Sequence, residues 1–342
     1  METRNYDIHI CRCDEYDKLV TFIDTHWCRG HILAKSKALM DFQHYNRQHD
    51  NYNYIVAVNK QSGEFDACMG FISPSQYDPN ITIGDYWGAL WKKRDDVHNE
   101  ESGTLGLLVF TYLRKLKNYR SYGVIGISAV AQEIYKQMHL ETGIMQQYYI
   151  ANPHCREFHI CLNPEINEPA FRGGTCHLEP LDPCQLQQWP QHAYQPVKTL
   201  DFIISRYVNH PIYRYTFQGI YQGDELLCIL VLRAIEINDS KCLRIVDALG
   251  SLDQVACLYP DFVKLLDANE AEFIDFMVHG IDPSIFYKMG FETVDTDSTS
   301  TIIPNYFEPF VQQNIKVHFA YKARFLYVFF KADGDQDRPS KL

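Results

Sequence analysis

The sequence predicts an α/β protein built from two domains in tandem, each a mixed, mostly antiparallel twisted sheet flanked by helices. Three observations support this fold class. The 342 residues exceed what one ordinary α/β domain needs and suffice for two. A hydrophobic content of 46% and a charged content of 22% are enough for real cores. The order of predicted strands and helices in the first half also recurs in the second half.

The first half alternates between strand-like and helix-like patterns. Runs rich in β-branched and aromatic residues predict strands at 6–12, 54–59, 67–72, 85–92, 122–128, 143–150 and 158–162. Apolar residues at helical spacing predict helices at 16–27, 35–44, 103–116 and 130–138. We therefore assign residues 1–165 to an N-terminal domain.

The second half repeats this order with a different sequence. Strands are predicted at 215–221, 226–236, 242–249, 273–278 and 319–330, and helices at 199–208, 253–266 and 283–289. Residues 166–196 are rich in proline and glycine, including Pro169, Gly173 and Gly174, which predicts a linker. Residues 197–342 then form the C-terminal domain, and 334–342 is predicted to be a polar, solvated tail.

Charge and hydropathy exclude several functional classes. The formal net charge is −11, and no dense cluster of lysine and arginine is present to replace the counterions of a nucleic acid. No apolar run approaches the roughly 20 residues of a membrane helix, and the first residues have no signal-peptide core. The sequence therefore predicts a cytoplasmic protein without a membrane span and without a nucleic-acid partner.

The 11 cysteines do not indicate a disulfide framework or a metal site. Their number is odd in a long chain without a secretion signal. Cys11 and Cys13 form a single Cys-x-Cys pair with no second pair, so a zinc site is not expected. Most of the cysteines read as small buried apolar residues.

Two segments of the first half carry a resemblance to a known family. Ser102-Gly103-Thr104-Leu105-Gly106-Leu107 opens a helix after a strand, where free backbone N–H groups can face phosphates. Glu133-Ile134-Tyr135-Lys136-Gln137-Met138 follows the next strand. In this order they resemble the pyrophosphate loop and the tyrosine-containing helix of the GCN5-related N-acetyltransferase (GNAT) superfamily. Glu101 and Thr104 depart from the usual Arg/Gln and Gly of the loop.

In the second half the matching helix reads Ile285-Phe286-Tyr287-Lys288-Met289-Gly290-Phe291, with Phe286 in place of the tyrosine. The resemblance therefore places catalysis in the first domain. The whole chain is also similar to GNAT-like proteins of bacterial surface-polysaccharide gene clusters. That similarity rests on His26-Trp27, Gly30-His31-Ile32-Leu33, Trp87, Trp91-Lys92, Arg244-Ile245-Val246-Asp247, residues 305–310 and residues 335–339.

The resemblance implies an acyl-CoA-dependent acyltransferase that uses acetyl-CoA or another acyl-CoA. Tyr135 is the expected general acid for the departing thiolate. The expected donor site consists of Leu90, Trp91 and Lys92 on the strand, and Gly103, Thr104, Leu105, Gly106 and Leu107 at the loop. The similarity to polysaccharide-cluster proteins implies a nucleotide-linked amino-sugar acceptor that is N-acylated during O-antigen or capsule assembly.

Three residues are candidates for the general base: His31, His26 and Asp85. Histidine suits the role because its ordinary pKa lies near working pH. Polar residues in the second half are predicted to hold the substrate, together with Trp87; they are Arg233, Arg244, Asp247, Asn305 and Glu308. Charges on predicted central strands are costly when unpaired, so Arg233, Arg244 and Asp247 form either structural ion pairs or a sugar and phosphate clamp.

Two other functions stay open at this point. Tandem GNAT-like domains also occur in transferases that move an amino acid from aminoacyl-tRNA to a peptidoglycan precursor, although the charge of −11 disfavours that donor. The second alternative is a GNAT-derived binding protein without catalysis, for which the degenerate loop at Glu101 and Thr104 argues.

Overall fold

The chain folds into two mixed β-sheets with helices packed on them, which confirms the predicted fold class. The computed structural model describes residues 1–166 and 175–340. Part of the predicted linker, with Pro169, Gly173 and Gly174, and the last two residues of the predicted tail lie outside the described residues.

The first sheet consists mainly of strands from the first half. These are β1 Tyr6–Arg12, β2 Tyr45–Asn46, β3 Asn51–Asn59, β4 Phe65–Ile72, β5 Gly84–Lys93, β6 Tyr119–Ile125 and β7 Glu141–Ile144. Its helices are α1 Tyr16–Phe22, α2 Ile32–Lys35, α3 Lys37–His44, α4 Leu105–Leu113 and α5 Ala129–Gln137. A π-helical turn, Ile23–Trp27, extends α1.

The second sheet consists mainly of strands from the second half. Its members are β8 Gln146–Ala151, β9 Cys176–Pro180, β10 Thr216–Gln222, β11 Glu225–Ile237, β12 Ser240–Gly250, β13 Ala271–His279 and β14 Glu292–Thr293. Strands β15 Tyr306–Phe307 and β16 Phe310–Val311 form a separate hairpin, and β17 His318–Lys322 and β18 Phe329–Phe330 follow. The helices are α6 Leu200–Ile203, α7 Tyr259–Ala268 and α8 Pro283–Met289.

The two sheets exchange strands. The first has the order β1-β3-β4-β5-β6-β17-β7, with β2 beside β3. The second has the order β14-β8-β13-β12-β11-β10-β9, with β18 beside β13. Strand β17 from the second half thus completes the first sheet, and β8 from the first half lies in the second sheet. The sheets therefore do not divide at residue 165, and the predicted strands 143–150 and 319–330 are each split between them.

The sheets pack against each other through an apolar layer. Trp87 and Ile125 of the first sheet meet Ile229, Val246 and Met277 of the second in this layer, and α6 contributes Phe202 to it. Helices α4 and α5 cover the face of the first sheet that points away from this layer. Helices α1, α2 and α3 cover the part of the other face that lies near β1. Both faces of the central strands are buried, which explains their nearly continuous apolar sequences.

Three sequence-based assignments need correction. Residues 158–162 are not a strand: the Glu272 carboxylate accepts hydrogen bonds from the backbone N–H groups of His159, Ile160 and Cys161 at 2.7–3.1 Å. One carboxylate thus replaces a strand partner. The predicted linker contains strand β9, which pairs with β10.

The predicted solvated tail is the third correction. Asp333 and Asp337 are buried, and residues 331–340 are packed between the two sheets. Arg206 donates hydrogen bonds to the carbonyl oxygens of Ala332 and Gly334 at 2.5 and 2.6 Å. We call residues 331–340 the C-terminal segment. Except for Lys331, its charged side chains are ion-paired, which sequence composition alone does not reveal.

Candidate functional site

A gap opens between the parallel strands β5 and β6. Their pairing runs from Gly84 opposite Tyr119 to Trp87 opposite Gly123. Strand β5 then continues to Lys93 beside β4, while β6 continues to Ile125 beside β17. No strand of the described residues pairs with the facing edges of β5 and β6 beyond this point, so their backbone groups can bind an extended ligand.

A β-bulge in β5 lies at this gap. Phe71 of β4 pairs with Gly88, and Met69 pairs with Trp91. Between these two pairs β5 therefore has one residue more than β4. The extra residue puts Leu90 on the α1–α3 face and Trp91 on the α4–α5 face. Of the predicted donor residues on this strand, Leu90 is buried, and Lys92 pairs with Asp95 at 2.7 Å.

The N-terminus of α4 lies beside the same strand. Gly106 is packed against the indole of Trp91. The first N–H groups of a helix have no partner within the helix, and no side chain of the described residues caps this one. Gly103 and Thr104 are exposed, and a side chain added at Gly103 would meet no atom within 4 Å. The Thr104 N–H donates to the Glu101 carbonyl oxygen at 3.1 Å, so the predicted loop can offer an anion the N–H groups of Gly103 and of residues 105–107.

Glu101 is turned away from these N–H groups. Its carboxylate accepts hydrogen bonds from the Thr3 hydroxyl at 2.9 Å and from the backbone N–H of Asn5 at 3.0 Å. The departure from the usual loop sequence therefore tethers the first residues of the chain. The carboxylate is occupied there, so it leaves the helix N-terminus open to an anion.

Tyr135 reaches the gap from α5. Its hydroxyl is hydrogen-bonded to the Tyr122 hydroxyl at 2.8 Å, and its ring packs 5.5 Å from that of Trp91. A Cβ at Gly88 would overlap the Tyr122 hydroxyl, so glycine is needed at this point of β5. Burial raises the pKa of both phenols, which keeps them protonated.

Asp85 lies at the other end of β5 from the gap. Its carboxylate accepts hydrogen bonds from the Ser121 hydroxyl at 2.6 Å and from two nitrogens of Arg120, with Arg120 Nε at 2.9 Å. These contacts join β5 to β6 and leave the carboxylate fully engaged. We therefore propose a structural role for Asp85 instead of the predicted role as base.

His26 and His31 lie on the connection between α1 and α2. His26 lies in the last turn of the π-helical segment and packs its ring 5.1 Å from Phe22. His31 is buried and caps α2, because its Nδ1 accepts from the backbone N–H of Leu33 at 3.3 Å. Burial, and secondarily the charge of Arg338 in the C-terminal segment, lower the pKa of His31 to about 4. Their role as base stays a prediction.

A cavity of about 250 Å³ lies next to the end of β6. It brings together four of the predicted substrate residues: Arg233 of β11, Arg244 of β12, Asn305 and Glu308. The first sheet contributes Gly126 and His318, and the C-terminal segment contributes Lys331, Gln336, Asp337 and Arg338. Both sheets and the C-terminal segment therefore form its wall.

The two arginines of the cavity differ in how they are held. Arg244 is engaged through three nitrogens: Nε and one terminal nitrogen contact Asp275 at 2.9 and 2.7 Å, and the other donates to the Asn305 carbonyl at 3.0 Å. Arg233 contacts Asp337 through one terminal nitrogen at 2.7 Å. Its guanidinium lies 4.0 Å over the Tyr213 ring. Arg244 therefore makes a structural ion pair, whereas Arg233 keeps donors available.

Asp247 and Trp87 lie away from this cavity. Asp247 contacts Lys198 at 2.5 Å and accepts from the Tyr207 hydroxyl. Lys198 also contacts Asp333 at 2.7 Å, so this buried cluster anchors the C-terminal segment. Trp87 is buried in the layer between the sheets beside Phe202. Neither residue is among those that line the cavity.

Comparison with solved structures gives the fold. A GCN5-related N-acetyltransferase from Anabaena variabilis ATCC 29413 is similar over 93% of this chain and 72% of its own, with a TM-score of 0.55 and 9% identity. The chain has a GNAT fold. A GCN5-related N-acetyltransferase from Kribbella flavida gives the same coverage and identity with a TM-score of 0.54. No protein-family model matches the sequence, and no curated protein matches it.

The sequence analysis does not predict several residues of this GNAT-fold site. Tyr122, the partner of Tyr135, is an ordinary strand tyrosine by pattern. Lys331 and Tyr213 reach the cavity only through the packing of the second half. The sequence does contain one signal, because residues 335–339, with Asp337 and Arg338, carry part of the family resemblance, although their polar composition predicts a solvated tail. None of the helices in the described ranges is long and apolar enough to cross a membrane.

Proposed function

We propose that the chain is an N-acyltransferase that moves an acyl group from an acyl-CoA to the amine of a sugar. The observation that carries this proposal is the gap between β5 and β6, with the uncapped N-terminus of α4 and the hydroxyl of Tyr135 beside it. The fold shared with GCN5-related N-acetyltransferases supports the reaction class.

The donor would lie in the gap in an extended conformation. Amide groups of its pantetheine arm would pair with the free edge of β5 at Leu90, Trp91 and Lys92. Its pyrophosphate would accept hydrogen bonds from the N–H groups of Gly103 and of residues 105–107, where the helix dipole also favours negative charge. The thioester then lies near Gly88 and the two tyrosines.

The chemistry is direct transfer. The acceptor amine forms a bond to the thioester carbon, and backbone N–H groups at the β5 bulge stabilise the negative charge that develops on the carbonyl oxygen. The C–S bond then breaks, and the departing thiolate takes the proton of the Tyr135 hydroxyl. Tyr122 can pass a proton back to Tyr135 through their hydrogen bond. The amine loses its proton to a base, for which His31 and His26 remain the predictions.

The acceptor would approach from the cavity. Its lining combines cationic, carboxylate and amide side chains, as expected for a ligand with both hydroxyl and charged groups. We infer a nucleotide-linked amino-sugar acceptor made for surface-polysaccharide assembly, and a cytoplasmic reaction. The similarity to polysaccharide-cluster proteins supports this finer assignment.

The first test is binding of acetyl-CoA by calorimetry, together with the shift in unfolding temperature that binding must produce. We expect micromolar affinity. Gly103→Glu should weaken it at least tenfold, because a carboxylate at the helix N-terminus repels the pyrophosphate. Gly103→Gln is the matched control of equal size without charge, and it should bind much more tightly than Gly103→Glu. Neither change meets a neighbouring atom at Cβ, so both variants should fold.

Activity completes the test. Thiolate release is measured with acetyl-CoA and a panel of nucleotide amino sugars, using the unmodified sugars without an amine as controls. If the wild-type chain shows no acetyl-CoA binding, the proposed donor is wrong. If acetyl-CoA binds and no amino sugar is acylated, the finer acceptor assignment is wrong.

A further inference from the structure

Four of the five cationic side chains that line the cavity are ion-paired. Arg233 pairs with Asp337, and Arg244 pairs with Asp275. Lys316 pairs with Asp297, and Arg338 pairs with Asp335. The fifth cation is Lys331, for which the described residues provide no ion pair. An unpaired cation in a pocket attracts an anion.

Lys331 is the most unusual of these cations. It is 7% exposed, and its Nζ donates one hydrogen bond, to the carbonyl oxygen of Gln336 at 3.1 Å. Within residues 1–166 and 175–340 it makes no ion pair. Burial, and then repulsion by Arg244, lower its pKa to about 8. A buried ammonium without a carboxylate partner costs folding free energy, and a bound anion would offset that cost.

Arg233 lines the same cavity. Its Nε is buried and has no partner in the described part of the chain. One terminal nitrogen and the Tyr213 ring fix the guanidinium plane, so the remaining donors have a defined direction. Planar guanidinium groups suit phosphate oxygens, which accept two parallel hydrogen bonds.

The position of the cavity relative to the gap limits the size of the ligand. Gly126 at the cavity lies three residues beyond Gly123, where the pairing of β5 and β6 ends. At about 3.3 Å per residue, this separation is about 10 Å. The C-terminal segment connects the two places, because Gly334 lies against Gly88 and the Gln336 side chain lies against Gly126.

We propose that the cavity binds the phosphate groups of the acceptor through Lys331 and Arg233, with the reacting amine about 10 Å away at the gap. A sugar joined to a diphosphate has an anionic end and an amine at this kind of separation. The assignment of the anion to the acceptor rests on the proposed function, but the anion site itself does not. The other possible source of phosphate is coenzyme A, and the test separates the two.

The test uses the full chain with inorganic pyrophosphate and UDP as probes, by calorimetry and by the shift in unfolding temperature. Wild type should bind at least one of the two. Lys331→Met should weaken binding at least tenfold, and Lys331→Arg should retain most of it. Lys264→Met, which removes an exposed cation elsewhere, should bind as wild type does. Affinity should also fall as pH rises through about 8, since Lys331 then loses its proton.

Acetyl-CoA binding to the same variants distinguishes the two proposals. If Lys331→Met loses pyrophosphate and keeps acetyl-CoA, the site belongs to the acceptor. If pyrophosphate competes with acetyl-CoA and both are lost together, the cavity belongs to the donor and this inference is overturned. No pyrophosphate or UDP binding by wild type, or unchanged binding by Lys331→Met, also overturns it. If acetyl-CoA does not bind and pyrophosphate does, the proposed donor fails while the anion site stands.

Discussion

The hydroxyl groups of Tyr122 and Tyr135 lie 2.8 Å apart, at the point where strands β5 and β6 separate. One tyrosine is on β6 and the other on α5, so the hydrogen bond connects the strand to the helix that follows it. Both rings are buried among Phe110 and neighbouring apolar side chains. We expect removal of the hydroxyl group to have different effects on activity at the two positions.

Tyr135→Phe should lower kcat by about 100-fold or more, the usual size of a general-acid contribution. The Kd for acetyl-CoA should change little, because the ring that packs on Trp91 is kept. Tyr122→Phe is the matched control: it removes the same hydrogen bond but leaves the Tyr135 hydroxyl, so kcat should fall less. Unchanged turnover of Tyr135→Phe would show that another group protonates the thiolate. Unfolding temperature identifies any loss that comes from stability, since each hydroxyl contributes only about 1 kcal/mol.

Asp85→Asn should lower the free energy of unfolding by about 2 kcal/mol, because Arg120 loses its carboxylate partner. The shape of the pH profile of kcat/KM should stay as in wild type. Arg120→Met should destabilise the chain by a similar amount, and the double variant should cost less than the sum of the two. If Asp85→Asn instead abolishes the acid limb of the pH profile, Asp85 is the base after all.

The chain should lose stability as pH falls below about 6.5. Burial lowers the pKa of five histidines to about 3 or 4, and they are His31, His44, His192, His210 and His279. The unfolded chain then binds protons that the folded chain excludes, which costs about 1.4 kcal/mol per pH unit for each fully buried histidine. Asp333 acts in the opposite sense, since burial raises its pKa to about 6.

His44 is the histidine to test, because it is fully buried against Tyr54. His44→Gln removes the titration and should make the unfolding temperature fall less steeply between pH 6.5 and pH 4.5. His49→Gln changes an exposed histidine and serves as the control. Equal slopes for wild type and both variants would mean that His44 does not contribute to the pH dependence.

Local sequence patterns predicted most elements of the fold because each pattern reflects burial of one face. Residues that start and end helices are local signals as well. In α8, Asp282 caps the helix, Pro283 occupies its first turn and Gly290 ends it in the left-handed region, all within nine residues. The same locality explains why the family resemblance identifies Gly103–Leu107 and Tyr135, which lie on two successive helices separated by β6.

Long-range pairing could not be predicted in this way. Nothing in residues 318–322 indicates that this strand inserts between β6 and β7, since any strand edge offers the same backbone groups. Glu272 replaces a strand partner for residues 159–161, and no periodicity encodes such a contact. Charge density predicts that residues 335–339 are solvated, whereas Asp337 accepts hydrogen bonds from Arg233 and Tyr215, which are more than 100 residues away in the sequence.

The exchanged strand β17 also sets the order in which the protein can be made. A ribosome synthesises residues 6–144 early, but the first sheet remains open between β6 and β7 until residue 322 has left the exit tunnel. During that interval both flanking strands present free edges, the kind of surface on which unfinished chains associate. Nascent chains stalled before β17 should therefore depend on chaperones more than chains released after it.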